Sequence, residues 1–151
     1  MIRQATLADK PQILDMLREY RKSSPLRAHQ RVNETTAIQM VDLIITGNRG
    51  LILLSEHEGL IQGMVMSIYT FNIWDQTIRY MAELAYWVKP EYRNGTIGYR
   101  LLQQYKETGD LLVEQQEIQY YTISKMVNSP DLKYDRFGFD KLEEQWICQP
   151  V

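Results

Sequence analysis

The sequence predicts an α/β fold of the α+β type, with a mixed, mostly antiparallel central sheet flanked by helices. Three observations predict it. Stretches with apolar residues at helical spacing are interleaved with β-branched and aromatic runs of strand length. Two of those runs, Leu51 to Ser55 and Leu60 to Tyr69, are joined through Glu56-His57-Glu58-Gly59, a hairpin with glycine at its turn. A third, Ile78 to Val88, stops at Pro90 and runs into a basic, glycine-bearing turn that opens a leucine-rich helix.

Each element has a local reason. Ile2 to Ala5 is a short first strand. Thr6-Leu7-Ala8-Asp9 reads as a capping box with Asp in place of Glu, and Pro11 fits only in the first turn of the helix it opens. Ile13, Met16, Leu17 and Tyr20 give that helix one apolar face to about Lys22, where Ser23-Ser24-Pro25 breaks it. A second helix spans Glu34 to Ile45, before Gly47. After the hairpin and the third antiparallel strand, Ile97, Leu101, Leu102 and Tyr105 share one helical face, and that helix continues through Gly109 to about Gln115. Glu117 to Ser124 reads as a strand, Asp131 to Phe137 as a short helix and Phe139 to Gln149 as a final strand.

At 151 residues, with 44% hydrophobic and 24% charged content, residues 1–151 read as one soluble globular domain able to bury a real core. No apolar run approaches the roughly 20 residues that cross a bilayer, and Met1-Ile2-Arg3-Gln4-Ala5 lacks the apolar core of a signal peptide, so the expectation is a cytoplasmic protein with no membrane partner. A lone cysteine, Cys148, excludes an intramolecular disulfide and reads as a packing residue of the last strand. His29 and His57 lie too far apart for metal-ligand spacing, so no metal is implied.

A net charge of −2 argues against nucleic acid as a partner, because phosphate neutralisation needs a clustered basic face. Between Leu17 and Arg31, however, Arg18, Arg21, Lys22, Arg27 and Arg31 stand against a single acidic residue, Glu19. The bland reading is a solvated helix end and loop.

The chemistry concentrates at Val88-Lys89-Pro90-Glu91-Tyr92-Arg93-Asn94-Gly95-Thr96-Ile97-Gly98-Tyr99. Backbone N–H groups at a helix N-terminus lack intrahelical partners and carry partial positive charge, which suits a pyrophosphate. Gly95 and Gly98 have no Cβ to obstruct oxygens resting on the turn, and Arg93 adds a formal charge.

The strand, the proline, the Arg93-x-x-Thr96-x-Gly98 turn, the leucine-rich helix, a further strand and then Tyr134-Asp135-Arg136-Phe137-Gly138-Phe139 form an order that resembles the GNAT superfamily of acetyl-CoA-dependent N-acetyltransferases. Specific matches are confined to Glu83 through Leu102 and Tyr134 through Phe139, and the compact form is similar to small bacterial or phage-encoded members. The first glycine of the family cradle is Thr96 here, whose β-branched side chain stands where the pyrophosphate approaches.

The resemblance implies a fold in which the strand before the cradle and the strand after its helix splay apart, with acetyl-CoA as acyl donor in the gap. Residues Arg93, Asn94, Gly95, Thr96, Ile97, Gly98 and Tyr99 then cradle the pyrophosphate, and the free strand edge at Tyr86, Trp87 and Val88 meets the pantetheine amides and polarises the thioester. Attack needs a neutral amine, and Glu83 in Ala82-Glu83-Leu84 is the implied base; its bland reading is a solvent-facing residue or a partner of Arg79. Tyr134, four residues ahead of Gly138-Phe139, matches the acid that protonates the leaving thiolate; otherwise it is a core tyrosine beside Phe137 and Phe139. Asn128 resembles the asparagine ahead of that tyrosine, one residue short in spacing and with Pro130 between.

The acceptor, an amine of a small molecule or a protein, would meet the connection of the first two helices and the loop after the third strand. Arg27, His29 and Arg31 could hold an acceptor carboxylate or phosphate, and Tyr69, Phe71 and Trp74 could form an aromatic wall. The rival class is a GNAT-like scaffold without catalysis, whose exposed aromatics, including Trp74 and Trp146, would serve a homodimer or another protein.

Overall fold

The computed structural model of the protein describes residues 1–150. Its sheet has five strands in chain order, β1 (Ile2–Gln4), β2 (Gly50–His57), β3 (Leu60–Asn72), β4 (Asp75–Val88) and β5 (Tyr120–Thr122). The first three pairings are antiparallel, and β4 pairs β5 in parallel. Helices α1 (Lys10–Ser23) and α2 (Glu34–Gly47) cover one face, and α3 (Ile97–Glu114) covers the other.

Strand alternation explains why β2 is apolar along most of its length. Ile52 and Leu54 face Ile13, Met16, Val41 and Ile44 of the helix pair. Leu51 and Leu53 face Leu101 and Tyr105 of α3. A strand buried on both faces reads as a continuous hydrophobic run.

Local chemistry sets the boundaries. The Thr6 amide donates to Asp9 Oδ2 at 2.8 Å, and Arg3 grips the same carboxylate at 2.7 and 2.8 Å, which holds Asp9 down at about 2. Asn33 caps α2 by accepting from the Thr35 amide at 2.9 Å. The β2–β3 hairpin turns on Glu58 (φ 51°) and Gly59 (φ 80°), the pair of left-handed residues that a tight hairpin requires. Gly50 permits close approach of β3, because a Cβ there would lie 2.1 Å from the Ser67 carbonyl oxygen.

The C-terminal part differs from the sequence expectation. The strand expected over Glu117 to Ser124 is only Tyr120–Thr122, since its neighbour diverges beyond Thr122. The helix expected over Asp131 to Phe137 is a 3₁₀ turn, Tyr134–Phe137, bounded by left-handed Lys133 and Gly138. Phe139 to Gln149 forms no strand, because no neighbouring strand supplies a ladder. Cys148 is consequently exposed rather than a core residue.

Candidate active site

A one-residue irregularity in β4 builds the site. Met66 pairs with Ala85 and Ser67 with Glu83, so Leu84 is an extra residue, a β-bulge. Met81, Tyr86 and Val88 pack on the α3 face, whereas Ala85 and Trp87 pack on the α1/α2 face. Glu83 shares the alternation of Met81, so the bulge leaves it on the α3 face and hands the opposite face to Ala85 and Trp87.

The same place is where β4 and β5 part. Their pairing ends at Ala82 opposite Thr122, and beyond it the Ser124 amide donates to the Glu83 carboxylate across the opening. Glu83 is half-buried; solvent reaches part of the side chain while packed protein surrounds the carboxyl. Burial pushes its pKa up to about 8 against the opposing Ser124 hydrogen bond. It forms no ion pair with Arg79, whose guanidinium lies over the Phe71 ring.

Four tyrosines lie within the electrostatic reach of this carboxyl. Burial first, and the Glu83 charge second, push Tyr134 and Tyr20 up to about 12. Tyr86 and Tyr105 are raised for the same reasons, with the Glu83 charge a lesser cause for Tyr86 than that of Tyr134. All four therefore remain protonated donors at neutral pH. Tyr134 is held by an edge-to-face contact with Phe139 at 6.4 Å. Tyr105 donates to the Thr122 carbonyl at 2.7 Å and so fixes α3 to the last paired residue of β5.

The cradle lies at the end of β4. After a 3₁₀ turn, Pro90–Tyr92, the chain reaches Thr96, the N-cap of α3, whose side chain makes no capping hydrogen bond. Among the described residues, no N–H from Asn94 to Tyr99 donates to a protein acceptor, and the helical ladder starts with Arg100 bonding Thr96 O at 2.9 Å. A Cβ on Gly95 would meet nothing within 4 Å, and one on Gly98 would make only ordinary contacts. Thr96 has φ −105°, which a β-branched residue adopts without strain. Unpaired donors in open space fit a pyrophosphate.

Side chains of β4 brace this turn. Tyr86 donates its hydroxyl to the Gly98 carbonyl. Arg93 stacks its guanidinium 4.3 Å from the Trp87 ring and donates Nε to the Val88 carbonyl at 2.7 Å, so its side chain is folded back on the strand end while its charge stays beside the turn. The Trp87 indole donates to Glu19 at 2.9 Å, and Tyr20 meets the same ring edge-on at 6.1 Å.

No protein-family model and no curated protein sequence matches the chain. Solved structures match it along its whole length. A possible acetyltransferase from Clostridium difficile 630 is 16% identical, with a TM-score of 0.73, covering 100% of this chain and 97% of that one. A predicted acetyltransferase with acetyl-CoA from Clostridium acetobutylicum is 12% identical at a TM-score of 0.66, with 99% and 95% covered. A GNAT family acetyltransferase from Staphylococcus aureus is 19% identical at 0.63, with 99% and 98% covered. The chain has the GNAT fold. In it, the β4–β5 pairing stops one residue before Glu83, and the Arg93–Tyr99 turn follows the end of β4.

The other expected residues are placed elsewhere on the GNAT fold. Asn128 donates to the Ser23 carbonyl at 2.7 Å and ties its loop to α1. His29 Nδ1 lies 2.8 Å from Ser24 Oγ, and the Arg27 amide donates to Gln149 Oε1 at 2.6 Å. Arg31 is exposed in the 3₁₀ turn Arg27–Arg31. Tyr69 packs into the α3-side core, and Trp74 is 90% exposed at the β3–β4 hairpin tip. Tyr20 and Tyr105, which sequence periodicity assigns to core-facing helix stripes, donate to the Leu84 carbonyl at 3.5 Å and the Thr122 carbonyl at 2.7 Å, the residues on either side of the place where β4 and β5 part. Among the described residues no His/Cys/Asp/Glu group could hold a metal, and no helix is long and apolar enough to cross a membrane. A surface depression of about 460 Å³ lined by Leu7, Lys10, Pro11, Leu14, Asp15 and Arg18 shares no residue with this site.

Proposed function

We propose that the protein is an N-acetyltransferase that moves an acetyl group from acetyl-CoA to a primary amine of a small molecule or protein, by direct attack in a ternary complex. The observation that carries this reading is the Leu84 bulge, beside which the β4–β5 pairing stops short of Glu83, on a strand that leads into a turn of unpaired N–H groups. Acetyl-CoA supplies an activated acyl group as a thioester. Residues Asn94 to Tyr99 would receive its pyrophosphate, and the unpaired β4 edge at Tyr86 to Val88 would offer backbone groups to its amides.

Glu83, held at about 8, is matched to take a proton from an ammonium near neutral pH and leave the amine free to attack. The new C–N bond forms as the C–S bond breaks. The thiolate takes its proton from Tyr134, which burial and Glu83 keep protonated, and the proton that the new amide nitrogen gives up restores the tyrosine. In this reading proton removal by Glu83 and proton delivery by Tyr134 serve one reaction centre.

The test is acetyl-CoA turnover across a panel of primary amines, read as thiol release. Glu83→Gln and Tyr134→Phe should each lower kcat by about 10²–10⁴-fold. Full turnover in both variants would overturn the assigned roles. A scaffold without catalysis is the second reading, favoured by Thr96 in the cradle and by the engagement of the Arg93 side chain with Trp87 and Val88. It predicts no thiol release with any amine.

A further inference from the structure

The turn before α3 holds an Asn-Gly pair, Asn94-Gly95, in a setting that none of the other asparagines shares. Asn94 and Gly95 are both exposed, and a Cβ on Gly95 would meet nothing within 4 Å. Among the described residues, the Asn94 side chain has no hydrogen-bond partner and the Gly95 N–H donates to no protein acceptor. Elsewhere the side chain or the amide that follows it is held. Asn33 Oδ1 accepts the Thr35 amide at 2.9 Å, and Asn128 donates to the Ser23 carbonyl at 2.7 Å. Asn72 accepts the Trp74 amide at 2.9 Å and donates to the Tyr120 hydroxyl at 3.1 Å. After Asn48, the Arg49 amide donates to the Leu43 carbonyl at 3.4 Å. None of these asparagines precedes a glycine.

We propose that Asn94 is a site of spontaneous deamidation, and that the product closes the cradle to a pyrophosphate. The Gly95 backbone nitrogen, on losing its proton to solvent, attacks Asn94 Cγ. The N–Cγ bond forms, the Cγ–Nδ2 bond breaks, and the side-chain nitrogen leaves as ammonia after taking a proton from water. Water then opens the cyclic imide at either carbonyl, leaving aspartate or isoaspartate. The net exchange is water taken up and ammonia released, with no change of oxidation state. The turn favours each step. Glycine places no Cβ in the path of attack and admits the backbone rotation that ring closure needs. An N–H without an acceptor is free to ionise, and the Arg93 charge beside it, with the partial positive charge at the start of α3, favours the anion. The carboxylate produced meets the same free N–H groups that a pyrophosphate would use and repels its oxygens.

The modification stands apart from the acetyltransferase reading, whereas its effect on acetyl-CoA rests on that reading. The full chain is incubated at neutral and at mildly alkaline pH, with and without about 1 mM acetyl-CoA. Peptide mapping by mass spectrometry follows each asparagine, and fresh and converted samples are melted with and without acetyl-CoA. Residue 94 should convert at least about tenfold faster than any other asparagine, and faster at the higher pH, where more of the amide is ionised. Gly95→Ala should slow it at least about tenfold; Gly95 has no positive φ, so alanine fits there, and circular dichroism checks the fold. Conversion no faster at residue 94 than elsewhere, or undiminished in Gly95→Ala, overturns the site. Bound acetyl-CoA should slow the conversion, and the converted chain should lose the rise in melting temperature that acetyl-CoA gives the fresh one. An equal rise in both overturns the closing of the cradle. Conversion at residue 94 with no rise even in the fresh chain overturns the cofactor reading and the effect on it, and leaves the deamidation established.

Discussion

Glu83 owes its environment to its neighbour. The extra residue Leu84 keeps the carboxyl on the α3 face among Tyr86, Tyr105 and Tyr134, where burial raises its pKa to about 8. Activity that needs the ionised carboxylate should therefore climb with pH and level off above about 8, a limb that a kcat/KM profile measures. Stability should move the other way. Between its ordinary value of 4.5 and about 8 the carboxyl holds a proton only in the folded chain, so its contribution falls as pH rises through that window and is fully lost above 8. Glu83→Gln should thus melt higher than the wild type at pH 9, and the difference should vanish near pH 4; equal melting temperatures at pH 9 would contradict the buried carboxyl. Residue type and setting single out Glu83 and Tyr134 in the sequence as candidates, and the turnover of their variants decides their roles. The Tyr20 contact with the Leu84 carbonyl was not legible there, because a tyrosine on an apolar helix stripe looks the same wherever its hydroxyl ends.

At the scale of elements, periodicity served well where an element carries its own hydrogen bonds or a hairpin partner. The α1, α2 and α3 stripes and the β2–β3 hairpin follow the pattern of their side chains closely. It served poorly where formation depends on a distant neighbour: the stretch after Phe139 has strand composition, but no strand lies beside it to complete a ladder. The bulge was equally hidden, since nothing in Ala82-Glu83-Leu84-Ala85 marks which residue will be unpaired. Gly50 shows how closely the ladder is fitted. Gly50→Ala drives a Cβ to 2.1 Å from the Ser67 carbonyl, a backbone atom with no rotamer to escape to. The substitution should cost at least the upper part of about 1–3 kcal/mol, read from denaturant unfolding. A loss below about 0.5 kcal/mol would mean that the two strands are free to separate there.

For the whole molecule, the two-sided apolar character of β2 announces helices on both faces, and the element order announces the GNAT fold. The acceptor is not legible at this scale. Of the segments expected to hold it, the connection of the first two helices is engaged by the C-terminal residues, the Arg27 amide donating to Gln149, and Trp74 is exposed at the hairpin tip. The cradle is a different matter, because its donors are backbone groups whose placement follows from a strand–turn–helix order. Thermal unfolding with and without acetyl-CoA tests it most directly. A ligand at about 100 times its dissociation constant stabilises the folded state by about 2.7 kcal/mol, which for a chain of this size raises the melting temperature on the order of 5–10 °C. Gly95→Asp, whose new side chain meets no protein atom within 4 Å of its Cβ, should keep the fold yet lose that shift by setting a carboxylate against the pyrophosphate. No shift in the wild type at about 1 mM acetyl-CoA, or an equal shift in Gly95→Asp, would contradict a pyrophosphate cradle at Arg93 to Tyr99.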